Sequence, residues 1–395
     1  MTDALVIGSG PAGLMAAHEL AMAGWKVVIV DAKPSVGRKF LMAGKSGLNL
    51  TKDEPFDRFI QRYDEAASEL RPMLIEFGPP EVMNWANDLG QNVFTGSSGR
   101  VFPKVMKASP LLRAWIGRLV ELGVEFRTGW RWVGWQGEAL SFKTPDGAVH
   151  LAPGVTVLAL GGASWARLGS DGNWASYLKS HGVELFPFAP ANAGLRVNWS
   201  HHMERHFGMP IKNIALNAGK FTERGECVVS ERGLEGGGIY SVSKPVRNGA
   251  ELTLDLLPDW PEERILQRLS APQRKMTLVN YLRKALKLDP VKLALMMEFV
   301  RPLPTGKKLA HLIKALPAKQ NGLYPLGEAI STAGGVAWNS VDMGLMLEKI
   351  PGIFVCGEML DWEAPTGGYL ITGCLATGRW AGRNAARWGV RATSD

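Results

Sequence analysis

The stretch Ala4-Leu-Val-Ile-Gly-Ser-Gly-Pro-Ala-Gly13 constrains this chain more than any other. Ala4 to Ile7 is an apolar run too short for a helix, so it reads as a buried strand. Gly8, Gly10 and Gly13 then form Gly-x-Gly-x-x-Gly. Gly8 permits a sharp turn out of the strand, Gly10 lets a pyrophosphate approach the backbone, and Gly13 lets the next helix pack on the sheet. Leu14 to Ala23 is a strong helix former, and Pro11 and Ala12 stand at its mouth, where free N–H groups and a positive dipole end suit phosphate. Gly24 ends the helix, Lys26 to Val30 makes a second strand, and Asp31 closes it 18 residues after Gly13. A carboxylate at that place accepts hydrogen bonds from a ribose. A lone glycine motif is a weak signal, but here strand, glycines, helix, strand and acid occur in order. The pattern predicts a dinucleotide site and leaves FAD and NAD open.

The stretch from Ala32 to Thr51 is punctuated by glycine and carries Arg38, Lys39 and Lys45, too irregular for a helix and too charged for a core. It suits a loop that wraps a cofactor with N–H groups and cationic side chains. Phe59, Ile60, Tyr63, Ala67, Leu70 and Leu74 predict one amphipathic helix over 56–77, before Pro79-Pro80. A second helix is expected from Ser109 to Leu122, with Pro110 in its first turn and Gly123 at its end. Val124 to Trp135 and Leu140 to Thr144 read as antiparallel strands. Val155 to Leu160 is a further buried strand reaching Gly161-Gly162. Pro187 to Gly194 looks like a domain boundary. Short strands with glycine turns follow to Leu257, with Gly236-Gly-Gly238 among the turns, and then amphipathic helices to Leu316. Thr305-Gly-Lys-Lys308 lacks the glycine loop of a phosphate-binding nucleotidase and reads as a basic turn. Near Leu326 cofactor-like sequence returns. Ile353 to Cys356 is a strand ending in Gly357-Glu358, and Gly367-Gly368 opens a small-residue helix over 374–386. That helix suits flavin better than nicotinamide, because its positive end can face the ring edge where charge grows on reduction.

With 395 residues, 46% of them hydrophobic, the chain can bury two or three cores. Cys227, Cys356 and Cys374 form no C-x-x-C, which argues against a disulfide scaffold, a redox dithiol or a cysteine metal site. His201, His202 and His206 lack accompanying ligands and read as a loop cluster, so no metal is expected. No leader and no membrane-length apolar run is visible, and a cytoplasmic protein without membrane contact is the expectation. The net charge is +8, and residues 258–320 hold 13 Lys or Arg against 5 Asp or Glu. Such an excess is either a solvated helical surface or a patch facing the phosphates of nucleic acid.

Taken together, Ile7 through Ala16, Gly37-Arg-Lys39, Gly44 through Thr51, Glu231 through Gly236, Gly357 through Asp361 and Gly367-Gly-Tyr369 resemble the bacterial aminoacetone-oxidase-like FAD flavoproteins. That family also holds bile-acid enone reductases and a ribosomal-RNA dihydrouridine synthase. The resemblance implies an α/β fold, a Rossmann-like FAD-binding domain split between both chain ends with an inserted β-rich unit and a small helical unit. The expected boundaries are 1–190, 191–257, 258–320 and 321–395. The resemblance implies FAD contacts at Gly8, Gly10, Gly13, Asp31, Arg38, Lys39, Asn49, Gly161, Gly162, Gly357, Glu358, Gly367 and Gly368. Their neighbours Pro11, Ala12, Ala32, Lys33, Gly44, Ser46, Leu50, Trp132 and Tyr369 complete the expected cofactor set. The chain departs from the family where Gly44-Lys-Ser-Gly-Leu-Asn49 replaces Gly-Gly-Gly-Arg-Cys-Asn, and where Leu370 replaces an Asn. No role of that arginine or cysteine therefore carries over.

The expected activity is an FAD-dependent oxidoreductase whose substrate enters between the flavin face and the inserted units. NAD(P)H would serve as a transient electron donor, because no second dinucleotide motif is visible. Asp361, Tyr369 and Lys45 are the candidate proton donors, against structural roles as a cap, a packed ring and a phosphate contact. Three functions stay open: reduction of an activated C=C bond, with a base of ribosomal RNA docked through residues 258–320 as substrate; oxidation or reduction of a small amine or enone; and a non-catalytic, FAD-stabilised RNA-binding factor.

Overall fold

The computed structural model describes residues 4–45, 47–271 and 276–392. The chain divides into two compact units, one of the residues up to Ala189 and from Ile330 onward, the other Pro190–Ala329.

The first unit is built on a five-stranded parallel sheet. Its order is Ile353–Val355, Val155–Leu158, β1 (Ala4–Ile7), β2 (Val27–Asp31) and Glu125–Thr128. All four residues of β1 are buried, as a parallel strand covered on both faces requires. The helix α1 (Pro11–Met22) follows β1. The last helix, Tyr369–Ala392, lies against α1. Only small residues allow that approach: a Cβ on Gly378 would stand 2.2 Å from the carbonyl oxygen of Ala12, and one on Gly382 2.6 Å from that of Ala16. Across this contact Arg379 and Arg383 both pair with Glu19, at 3.0 and 2.8 Å. The two ends of the chain thus complete one sheet-and-helix layer system.

Three expectations for this unit are corrected. Residues 56–77 form two short helices and a 3₁₀ turn, because Asp64 takes φ 47° and breaks the run. The apolar spacing is still satisfied piecewise, with Phe59, Tyr63, Leu70 and Leu74 all buried. The run 124–135 splits at Gly129, which has φ 76°. Its first half joins β2 in parallel, and only Arg131–Gln136 pairs antiparallel with Ala139–Thr144. Arg38–Ala43 is a short helix after a left-handed Gly37, inside the expected loop.

The second unit is a six-stranded antiparallel sheet with helices Gly237–Arg247, Glu262–Leu269, Leu278–Leu286, Pro290–Phe299 and Gly306–Lys314. Its strands and helices share one apolar core, to which Ile214, Leu254, Ile265, Leu282, Met296 and Ile313 all belong. The expected division at Leu257 therefore separates no two cores, since residues of the strands and of the helices after Leu257 are buried in the same cluster. Gly236-Gly-Gly238 is also no turn between strands. Gly236, at φ 99°, opens a helix, and a Cβ on Gly238 would sit 2.7 Å from Leu216 and 2.8 Å from the Glu226 carbonyl. The glycines here permit close packing of helix on sheet. Thr305-Gly-Lys-Lys308 likewise begins a helix. Among the described residues no helix is long and apolar enough to cross a membrane.

Candidate cofactor site

The glycine turn after β1 sorts its own residues. Gly8 has φ 108°, and a Cβ there would meet the Ala159 carbonyl oxygen at 2.2 Å. A Cβ on Gly13 would stand 1.9 Å from the Gly8 carbonyl oxygen. Packing within the chain accounts for both. Gly10 differs: its backbone is extended, and nothing lies within 4 Å of where its Cβ would be. Pro11 and Ala12 follow in the first turn of α1, where a missing N–H costs nothing.

Asp31 faces this turn. Its carboxylate accepts the Ser9 N–H at 3.1 Å, the Ser9 hydroxyl, and the Lys33 N–H at 2.8 Å. The Ser9 hydroxyl oxygen in turn accepts the Gly37 N–H at 3.3 Å. Asp31 therefore clamps the glycine turn to the loop after β2. A carboxylate has about four lone-pair sites, so one acceptor position remains for a ligand. The segment Ala32-Lys33 is held from the other side, where Gly129 N–H donates to the Lys33 carbonyl at 3.1 Å and Trp130 N–H to that of Asp31 at 2.9 Å. Trp132 is buried edge-on to Trp135 and Tyr177.

A second centre gathers residues far apart in the sequence. Lys39 Nζ donates to Glu358 at 2.8 Å and to Ser164 Oγ at 2.9 Å. The same carboxylate accepts the Gly162 N–H at 3.3 Å and the Thr332 N–H at 2.9 Å. Thr332 Oγ1 accepts the Ala163 N–H at 2.9 Å, and a Cβ on Gly162 would collide with it at 2.4 Å. Glu358 thus ties the turn after Val155–Leu158 to the turn after Ile353–Val355. Beside Gly161, a Cβ would stand 3.0 Å from Ser170 Oγ, and at Gly357 it would meet Ala12 at 2.7 Å. The Lys39 ammonium is spent on Glu358 rather than held open in a loop.

The third group surrounds the start of the last helix. Gly368, at φ 97°, lies so close to Thr51 that a Cβ would meet its Cα at 2.4 Å. Thr372 Oγ1 donates to Thr51 Oγ1 at 2.9 Å. Gly367, at φ 132°, precedes it against the Tyr369 ring. Gly44 packs on Ala108, and buried Leu50 donates its N–H to the Val101 carbonyl at 2.9 Å. Ser46 lies outside the described residues.

The three candidate proton donors are placed differently. Tyr369 is 2% exposed, lies tilted against Phe59 with ring centroids 4.9 Å apart, and donates its hydroxyl to Glu54 at 2.5 Å. Burial, and then the bond to Glu54, hold its phenol proton well above the usual range. It is a packed ring with its proton committed. Asp361 is half-buried, its N–H donating to the Val336 carbonyl at 2.9 Å. Lys45 is exposed. Burial also pushes the Cys374 and Cys227 thiols up to about 12, which removes both as nucleophiles.

Arg38 Nε, Asn49 Oδ1, Trp132 Nε1 and Ser170 Oγ are buried side-chain atoms without a hydrogen-bond partner among the described residues. Leaving such a group unpaired costs about 1–3 kcal/mol each. Arg38, Asn49 and Trp132 belong to the set expected to touch cofactor. With the open space at Gly10 and the spare acceptor on Asp31, these residues fit an adenine dinucleotide. Ser9, Ser164, Thr332 and Glu54 were not legible as site residues. Ser9 alone carried a signal, as the first variable place of the glycine motif; the others are ordinary serine, threonine and glutamate whose role appears only when distant turns meet.

The HI0933-like protein Rossmann domain model matches residues 2–384. The chain is 25% identical over 418 residues to the 3-dehydro-bile acid delta(4,6)-reductase of Clostridium scindens, covering 96% of this chain and 98% of that protein. It is 25% identical over 390 residues to the ribosomal RNA dihydrouridine synthase of Escherichia coli, covering 93% of this chain and 94% of that one. Among solved structures it shares the fold of a flavocytochrome c3 fumarate reductase, with TM-score 0.52 and 16% identity, covering 98% of this chain and 78% of the other. It also shares that of the 3-ketosteroid delta1-dehydrogenase of Sterolibacterium denitrificans, with TM-score 0.54 and 12% identity, covering 98% and 99%. The non-catalytic alternative falls away, because this chain belongs to the HI0933-like Rossmann family and is an FAD-dependent oxidoreductase.

Proposed function

We propose that this oxidoreductase reduces a C=C bond activated by a neighbouring carbonyl, that NADH or NADPH supplies the electrons, and that the substrate is a uracil of ribosomal RNA. The overall change is uracil plus NAD(P)H plus a proton giving 5,6-dihydrouracil plus NAD(P)⁺. Two relatives that match along nearly their whole length support the reaction type, since both names describe saturation of such a bond. The observation that carries the RNA substrate is the charge of residues 258–320, with 13 Lys or Arg against 5 Asp or Glu.

FAD, when bound, supplies two-electron transfer between the nicotinamide donor and the substrate. The chain's residues do the rest. The open backbone at Gly10 and the amides at the mouth of α1 receive the pyrophosphate, and the spare acceptor of Asp31 takes a ribose hydroxyl. Arg38, Asn49 and Trp132 offer their unpaired polar atoms to the same ligand. Gly161, Gly162, Gly357, Gly367 and Gly368 bring backbone close to it, with Lys39 and Glu358 fixing the turns that carry them. With Tyr369 committed to Glu54, Asp361 and Lys45 are the groups we assign to proton delivery at the substrate carbon. Replacing each (Asp361→Asn, Lys45→Met) should shift the pH profile of turnover if it delivers the proton, and leave the profile in place if it does not.

The test is the dihydrouridine content of ribosomal RNA from cells with and without the gene. Loss of one dihydrouridine on deletion supports the reading. Unchanged RNA, with turnover of a bile-acid-like enone by the purified protein, would move the small-molecule reading ahead.

A further inference from the structure

A cavity of about 470 Å³ opens in the second unit, far from the glycine turns in sequence. The turn His201–His206 and the helices Leu278–Leu286 and Pro290–Phe299 wall it. Its size falls within the ~300–1,000 Å³ of small-molecule sites. We propose that this cavity is a nucleotide-binding site, taking one phosphate on its arginines and the attached base on its apolar wall.

Arg205, Arg283 and Arg301 all line it, together with His202. Among the described residues none of these arginines pairs with a carboxylate. Arg205 Nε donates to His206 Nε2 at 3.3 Å, and Arg283 to Asn280 Oδ1 at 3.1 Å. Glu298, the one acid of the wall among the described residues, is engaged elsewhere, accepting the Ser200 N–H at 2.7 Å and its hydroxyl at 2.6 Å. Arg205, Arg283 and Arg301 are exposed on this wall, and a guanidinium free of a carboxylate can take a phosphate's oxygens.

His206 supplies the independent sign. It is 6% exposed and lines the cavity, and among the described residues its Nδ1 has no hydrogen-bond partner. Burial, and then Arg205, lower its pKa, so the ring is neutral at pH 7. Because Nε2 accepts from Arg205, the proton sits on Nδ1, a buried donor that no acceptor among the described residues satisfies. Met203, Leu293 and Met297 give the apolar wall, and methionine sulfur packs well on flat rings.

The inference does not rest on the uracil reading, because a free nucleotide and a nucleotide within a strand carry the same chemistry. The test uses the full-length, FAD-loaded protein, a fluorescent single-stranded oligouridylate, and uridine 5′-monophosphate as competitor. Two variants separate charge from shape: Arg283→Ala with Arg301→Ala removes cations, and Ala294→Trp fills the cavity without changing charge. FAD content and circular dichroism confirm that each is folded. Each should weaken the oligomer at least tenfold. The arginine pair should also flatten the log K against log salt slope by about 0.7, for one single-strand phosphate, while Ala294→Trp leaves the slope in place. Competition by the monophosphate shows that one phosphate and one base fill the site, and its failure beside loss in both variants shows that the site reads a strand. If either variant binds as the parent does, the cavity is not the site and the proposal is overturned.

Discussion

The contrast within the glycine motif yields the sharpest prediction. Gly8 and Gly13 are required by the fold, because added Cβ atoms would meet backbone oxygens at 2.2 and 1.9 Å. Gly8→Ala adds a left-handed strain of roughly 1–3 kcal/mol to that collision, so flavin-free Gly8→Ala should unfold at markedly lower urea. Gly10 is extended at φ −76° with open space beyond it. Gly10→Val should therefore cost the flavin-free fold no more than about 1 kcal/mol, the scale of a changed helix cap. The same side chain would occupy the pyrophosphate's place, and FAD should weaken at least a hundredfold, about 2.7 kcal/mol. Urea unfolding of the flavin-free proteins gives the first quantity, and calorimetric titration with FAD the second. The reasoning is refuted if Gly10→Val holds FAD like the parent, or if it unfolds as readily as Gly8→Ala.

Asp31→Ala should weaken FAD by about 1.5–3 kcal/mol and also loosen the turn it clamps through Ser9, seen as faster amide exchange at Ser9 and Gly37. Equal FAD affinity in parent and mutant would remove Asp31 as a ligand. Tyr369→Phe should cost stability about 1.5–3 kcal/mol for its bond to Glu54 and leave turnover intact; a turnover collapse with normal FAD content would restore it as a proton donor. His18 and His206 both have pKa values lowered, first by burial. Below pH 6.5 the unfolded chain thus binds more protons than the folded one. Their stabilising contribution is present above that value and lost as pH falls through the folded values. Replacing both with Gln should flatten the urea midpoint between pH 6.5 and 5, and an unchanged slope would deny the effect.

The glycine turn and Asp31 were legible because their information is local: strand, turn, helix and acid lie within residues 4–31. Glu358 was legible only as part of a motif. Its partners Lys39, Gly162 and Thr332 come from three other stretches, and no spacing rule links them. Gly236-Gly-Gly238 misled for a different reason. Glycine marks both a turn and a close approach, and only the nearness of Leu216 and Glu226 tells that this is the second. The run 124–135 carries a strand signal throughout, yet strand propensity does not name a partner, and Gly129 sends its halves to different sheets. The helical segment's charge was readable as a sum. That its Arg283 and Arg301 meet Arg205 at one cavity, none of them paired with a carboxylate among the described residues, was not.

The central claim is that reduced flavin in this chain hands its electrons to a carbonyl-activated C=C bond in RNA. The direct test reduces the FAD-loaded protein with NADPH or NADH under strict anaerobiosis and then mixes it with unmodified ribosomal RNA. The account predicts return of the oxidised flavin spectrum together with one dihydrouridine formed per flavin reoxidised. Flavin that stays reduced in the presence of RNA, while an enone reoxidises it, would contradict the account.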